Sequence, residues 1–139
     1  MNVKIADIMR RPVMHATPHQ TAGHVRAVMA EHHVSAMPVV GPDEEPVGIV
    51  TATDLLADHP DGTPVSTFMA TPVISVPVYE QPHIAARIMR NHHLHHVIVT
   101  DADRVVGIVS AFDLLELLED HRFVMKQGPT PPRRASGRS

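Results

Sequence analysis

The spacing of apolar residues in this chain predicts one helix face that occurs twice. In the first instance, residues at intervals of three or four lie on one side of a helix: Val25, Val28, Met29 and His32. Sixty residues later a matching face appears, formed by Ile84, Ala85, Ile88, Met89 and His92. Thr21 is a plausible N-cap of the first helix, and Gln81 precedes Pro82 at the first position of the second. Two similar helices are therefore expected.

Runs of valine and isoleucine around these helices predict short strands. Two strands are expected after each helix, at residues 36–40, 47–51, 96–100 and 105–109. Their near-continuous apolar content indicates strands that are covered on both faces. A short extended segment precedes each helix, at residues 13–16 and 73–76, and a closing helix follows each strand pair, at residues 52–58 and 111–121.

The same order of elements reflects an internal duplication. MRRPVMHATP, beginning at Met9, returns as MATPVISVPV from Met69, and VGIVTATDLL from Val47 returns as VGIVSAFDLL from Val106. We divide the chain into repeat 1 (residues 1–58), a turn-rich linker expected to act as a hinge (59–64) and repeat 2 (65–121). A tail without apolar periodicity follows (122–139), and we expect it to be largely disordered.

Composition narrows the class of protein. The chain has 139 residues, of which 43% are hydrophobic, and it has no cysteine, so disulfides and thiolate metal sites are excluded. A formal charge of −3 gives no general attraction to nucleic acid or to an anionic membrane, and no apolar run approaches the length of a membrane span. The sequence has neither a phosphate-binding glycine motif nor a nucleophile next to a base. We expect a cytoplasmic protein that is not an enzyme.

The end of each strand pair is where ligand chemistry is most plausible. A strand ends in a hydroxyl residue, Thr51 or Ser110, and an aspartate follows three positions later, Asp54 or Asp113. This spacing is typical of a helix cap, in which the hydroxyl and the acid bind main-chain N–H groups. It also suits a phosphate at the helix N-terminus, with the aspartate accepting hydrogen bonds from a ribose diol. The residues alone leave both interpretations open.

A repeat of about sixty residues in β-α-β-β-α order, ending in G-h-h-[ST]-x-x-D, resembles the CBS domain, and two in tandem resemble a Bateman module. The resemblance covers roughly residues 5–119 and implies an α+β fold with two pseudo-symmetric clefts. Such clefts bind adenosine compounds such as AMP, ADP, ATP or S-adenosylmethionine. By position, Thr51 and Ser110 would contact phosphate, and Asp54 and Asp113 would contact ribose. The adenine would lie against the extended segments, at Val13, Met14, Val73 and Ile74.

One departure from this family indicates that the clefts are unequal. A Pro-Val pair often follows the first helix of the repeat, and it is present at Pro38 but replaced by Ile98-Val99 in the second copy. The resemblance also implies a homodimer, for which the last helix supplies Leu114, Leu115, Leu117 and Leu118. We therefore predict a regulatory module that binds an adenine nucleotide and acts on an effector protein. A ligand-free dimerisation or docking module remains the alternative, followed by a histidine-based metal sensor.

The cluster NHHLHH, residues 91–96, separates into two parts when the copies are aligned. His92 and His93 match His32 and His33 at a helix end, where histidine can bind terminal carbonyl groups. His95 and His96 have no histidine twins. The resemblance implies that basic residues here point at phosphates, and we expect the better exposed of the two to make this contact. We expect no metal, because neighbouring strand residues face opposite sides of the sheet.

Overall fold

Two equivalent helices organise the computed structural model, which describes residues 2–120. Helix α1 spans Ala22–His32 and helix α2 spans Pro82–His92. The Thr21 hydroxyl accepts the N–H of His24 at 3.2 Å, which confirms Thr21 as the N-cap of α1. Gln81 is the N-cap residue of α2 and Pro82 is its first residue, as expected. No helix among the described residues is long and apolar enough to cross a membrane.

The strands form two separate sheets. In repeat 1, β1 (Ala36–Val40) pairs antiparallel with β2 (Pro46–Thr51). In repeat 2, β3 (Ser75–Pro77) pairs parallel with β4 (His96–Asp101), which pairs antiparallel with β5 (Arg104–Ser110). Every residue of β1 is buried, as its apolar run predicted. The extended segment predicted at residues 13–16 makes a parallel bridge between Ala16 and Val39.

The closing elements of the two repeats differ. Helix α3 spans Ala111–Asp120, whereas the helix predicted over residues 52–58 is wrong: repeat 1 has only a 3₁₀ turn, Asp54–Leu56. The backbone becomes extended at Ala57, where the chain turns back towards α1 and Arg26 binds the His59 carbonyl. The predicted last residue of the second closing helix, at position 121, and the predicted disordered tail at 122–139 lie outside the described residues.

Each repeat completes the core of the other. Ile5 opens repeat 1 but is fully buried in the repeat 2 core, beside Val76 and Val97, and its N–H donates to the Glu80 carbonyl at 2.8 Å. Val65 opens repeat 2 but is fully buried in the repeat 1 core, and its N–H donates to the carbonyl of Gln20 at 2.7 Å. Because the opening segments cross over, the two repeats pack as one unit.

The linker is attached to the start of α1. Arg26 donates to Asp61 Oδ1 at 2.9 Å and to the His59 carbonyl at 3.0 Å. The Ala22 N–H donates to the Thr63 carbonyl at 2.9 Å. Residues 59–64, expected from the sequence to act as a hinge, are therefore held by hydrogen bonds to α1 and its first turn.

Candidate functional site

A cleft of about 510 Å³ lies where the opening segment of repeat 1 meets the closing turn of repeat 2. Repeat 1 contributes residues 10–14 and the segment after α1, and repeat 2 contributes His96 from β4 and the junction of β5 with α3. Five residues predicted from the sequence line this cleft together: Val13, Met14, His96, Ser110 and Asp113. We call it the first cleft.

A reciprocal pair of hydrogen bonds joins two residues that line the first cleft, Ser110 and Asp113. The Ser110 N–H donates to Asp113 Oδ2 at 2.8 Å, and the Asp113 N–H donates to the Ser110 hydroxyl at 3.0 Å. In repeat 1 the Thr51 N–H donates to Asp54 Oδ2 at 2.9 Å, and the Asp54 N–H donates to the Thr51 hydroxyl at 3.3 Å. Both pairs are capping boxes with aspartate in place of the usual glutamate. The capping interpretation of this motif is therefore confirmed, and it leaves Asp113 Oδ1 available to other partners.

Arg10 is the partner of that remaining oxygen. Its Nε lies 3.4 Å from Asp113 Oδ1, across the cleft from the second repeat. Only 5% of the Asp113 side chain is exposed, compared with 64% of the Arg10 side chain. A buried carboxylate is costly without hydrogen bonds or a counter-charge, and Arg10 and the Ser110 N–H together supply both.

His96 lies beside the same carboxylate. Its Nε2 is 3.5 Å from the Ser35 hydroxyl of the first repeat. Burial lowers the pKa of His96, the neighbouring His95 lowers it further, and Asp113 opposes both effects. His95 is exposed and lies outside the lining of this cleft. The histidine in the first cleft is therefore the less exposed of the two, and the expected phosphate contact through the better exposed one stays a prediction.

The paired histidines end the helices through their backbone. His33 follows α1 in the left-handed conformation, with φ 56°, and its N–H donates to the Met29 carbonyl. His93 follows α2 with φ 57°, and its N–H donates to the Met89 carbonyl. Histidine is among the residues that adopt this conformation more readily than most. The pairs are helix endings, as predicted, and His32 and His33 also line the first cleft.

The remaining predicted residues lie elsewhere. Pro38 is fully buried in β1, and the other members of the predicted set are not part of the first cleft's lining: Thr51, Asp54, Val73, Ile74 and His95. Sequence reasoning missed Arg10 and Arg11, which do line it. A signal was present, because MRRP in repeat 1 becomes MATP in repeat 2. Among residues 2–120, no group of three or more His, Cys, Asp or Glu side chains could hold a metal ion.

Comparison with known proteins agrees with this architecture. The chain is 28% identical over 123 residues to the protein MK0525 of Methanopyrus kandleri. The aligned region covers 84% of this chain and 63% of that protein. The chain thus spans less than two thirds of the length of this relative.

Two solved structures share the fold at 25% identity. One is the CBS domain pair of protein MJ0100 in complex with 5-methylthioadenosine and S-adenosyl-L-methionine, with a TM-score of 0.79 over 87% of this chain and 99% of that one. The other is Hypoxic Response Protein I with two coordinated zinc ions. Its TM-score is 0.74, over 82% of this chain and 98% of that one. The CBS domain model matches residues 5–59 and again 65–120. The chain belongs to the CBS domain family, and its two repeats form a CBS pair, or Bateman module.

Proposed function

We propose that this chain is a regulatory module that binds an adenosine-containing ligand of the AMP, ADP or ATP class in the cleft between its repeats. One observation carries this proposal: a single cleft brings the capping turn of one repeat, Ser110 and Asp113, to the extended segment of the other, Val13 and Met14. The complex of the similar MJ0100 pair with 5-methylthioadenosine and S-adenosyl-L-methionine supports an adenosine-containing ligand.

Each part of the first cleft suits one part of such a ligand. The N-terminus of α3 and the Ser110 hydroxyl offer hydrogen bonds and a favourable dipole to a phosphate or another anionic group. Asp113 Oδ1 contacts Arg10 and is the oxygen that would accept hydrogen bonds from a ribose diol. Val13 and Met14 supply an apolar surface for the base, with main-chain groups at its edge.

Binding would act through linkage between the repeats. A ligand that contacts both sides of the first cleft stabilises the arrangement in which those sides are close, and so favours one conformation or assembly. Helix α3 exposes Phe112, Leu115 and Leu118 by 61%, 60% and 47%. We propose that this face pairs two copies into a homodimer, which would report ligand binding to an effector protein, and that the module works in the cytoplasm without catalysing a reaction.

A thermal-shift panel tests ligand binding directly. AMP, ADP, ATP, S-adenosylmethionine and Zn²⁺ are added separately to the wild-type protein. A ligand at one hundred times its Kd stabilises the protein by about 2.7 kcal/mol, which is easily visible as a rise in Tm. We expect at least one adenosine compound to raise Tm. Asp113→Asn should remove most of this rise, because it retains an acceptor for the Ser110 N–H but removes the second carboxylate oxygen.

Asp43→Asn is the matched control, because it makes the same change in an exposed turn outside the first cleft. Each variant's shift is measured from its own ligand-free Tm. If no adenosine compound shifts the wild-type protein, the nucleotide proposal fails and the docking-module alternative takes its place. A rise with Zn²⁺ alone would instead support the metal-sensor alternative.

A further inference from the structure

The first cleft is lined by two arginines that have no counterpart in the other repeat. Arg10 and Arg11 line it, and sixty residues later the same two positions hold Ala70 and Thr71. Ala36 and His96 both line it and are equivalent positions of the two repeats, so His96 does not distinguish the clefts. The counterparts of these lining residues in the other repeat would form a second cleft around Thr51 and Asp54. No arginine stands at the corresponding positions of that cleft. The two clefts therefore differ in the guanidinium groups that they offer to a ligand.

The backbone of Arg10 is fixed, but its side chain is not confined. The Arg10 N–H donates to the Ile108 carbonyl at 2.8 Å, and the Ile108 N–H donates to the Arg10 carbonyl at 3.4 Å. Met9 packs directly over Gly107, where a Cβ would lie 2.6 Å from the Met9 sulfur. The Arg10 side chain projects from this anchored segment and is 64% exposed. It can therefore change its partner without any change in the fold.

The present partner of Arg10 is the oxygen that a ribose would need. Asp113 Oδ2 is occupied by the Ser110 N–H at 2.8 Å, whereas Oδ1 faces only the longer contact to Arg10, at 3.4 Å, among the hydrogen bonds of residues 2–120. Solvent weakens this ion pair, because the Arg10 side chain is mostly exposed. The buried carboxylate still needs a partner when Arg10 leaves, and the diol of an incoming ribose can donate hydrogen bonds in its place.

We propose that Arg10 exchanges partners when a nucleotide binds: it leaves Asp113 to the ribose and moves to the phosphate chain, so that the first cleft selects adenosine ligands with two or more phosphates. This inference rests on the proposed function. Arg11, next along the same segment, adds a second guanidinium, and arginine forms bidentate hydrogen bonds with phosphate oxygens. The second cleft, with Ala70 and Thr71 at these positions, does not share this preference.

Calorimetric titration with adenosine, AMP, ADP and ATP tests the exchange, at pH 7.5 and without divalent cations. We expect the wild-type protein to bind ATP and ADP more tightly than AMP. Arg10→Gln should weaken ATP binding about tenfold, the lower end for a charged hydrogen bond, and leave adenosine binding unchanged. Arg104→Gln is the matched control, because Arg104 also pairs with one carboxylate, Glu44 at 3.1 Å, but lies outside the first cleft. It should change none of the affinities.

A gain-of-function variant gives an independent test. Ala70→Arg in an Asp113→Asn background should create a preference for ATP over AMP in the second cleft, and it does not depend on the folding of an Arg10 variant. Equal loss of adenosine and ATP binding in Arg10→Gln would show a structural role and overturn the exchange, as would no loss of ATP binding. If the wild-type protein binds no adenosine compound, the proposed function fails as well. If it binds AMP and ATP equally, only the exchange fails.

Discussion

Ser110 and Asp113 satisfy each other's main-chain N–H groups, at 2.8 Å and 3.0 Å, and so begin helix α3 at the edge of the first cleft. Thr51 and Asp54 make the same pair in repeat 1, but there only a 3₁₀ turn follows. The motif that resembles a ligand site is therefore first a structural cap. A cap of this kind holds the Asp113 carboxylate in one position, which is also what a ribose-binding group requires.

Removal of the hydroxyl cap should cost stability. Ser110→Ala leaves the Asp113 N–H without its side-chain acceptor, and loss of an N-cap typically lowers the free energy of unfolding by about 1 kcal/mol. Urea unfolding monitored by circular dichroism measures the loss. The same substitution at Ser66, an exposed serine outside α3, is the control and should change the free energy much less. Equal effects at both positions would contradict the role of the cap.

The crossing of the opening segments can be tested at Ile5. Ile5→Ala should lower the free energy of unfolding by about 2–5 kcal/mol, because a fully buried isoleucine leaves a cavity. The residue belongs to repeat 1 in sequence but packs in the repeat 2 core. Hydrogen exchange should therefore accelerate more in β4 than in β1. Faster exchange in β1 alone would contradict the crossed arrangement, and Val3→Ala, at a partly exposed position, serves as the control.

The environment of His96 predicts a dependence of stability on pH. Burial lowers its pKa in the folded protein below the usual 6.5, so the unfolded chain takes up a proton first as the pH falls. The contribution of His96 is complete above about pH 6.5 and is lost below it, with a slope of at most about 1.4 kcal/mol per pH unit for one proton. Asp113 and His95 act on the same group in opposite directions.

His96→Gln should make the fall in unfolding free energy between pH 7 and pH 5 less steep. The same substitution at His83, which is exposed, should leave the profile close to that of the wild-type protein. Denaturant unfolding at several pH values measures both. A steeper fall in His96→Gln would show that protonation of His96 stabilises the fold.

A homodimer through α3 should be sensitive to charge on its exposed face. Leu115→Lys together with Leu118→Lys places two cations on positions that are 60% and 47% exposed. We expect sedimentation velocity to show a dimer for the wild-type protein and a monomer for this variant. Tyr79→Lys, at a residue that is 66% exposed but lies outside α3, is the control. A monomeric wild-type protein would contradict the proposed dimer.

Local pattern was sufficient for most of the elements. The periodic faces of residues 22–32 and 82–92 predicted α1 and α2, and the valine-rich runs predicted β1, β2, β4 and β5, because helix and strand periodicities are properties of neighbouring residues. The predicted helix at 52–58 failed since the chain there must turn back to α1, where Arg26 holds the linker. This requirement comes from the packing of a distant segment.

The sequence by itself determined the duplication, the family and the paired caps at Thr51 and Ser110, all of which depend on residue identity and spacing. Only the tertiary structure decided which side chains meet. The opening segments cross between the repeats, so residues 10–14 face Ser110 and Asp113 of the other copy. Contacts such as Arg10 with Asp113 join residues 103 positions apart. Spacing along one copy could not reveal them. They arise because Ile5 of repeat 1 packs in the repeat 2 core and Val65 of repeat 2 packs in the repeat 1 core.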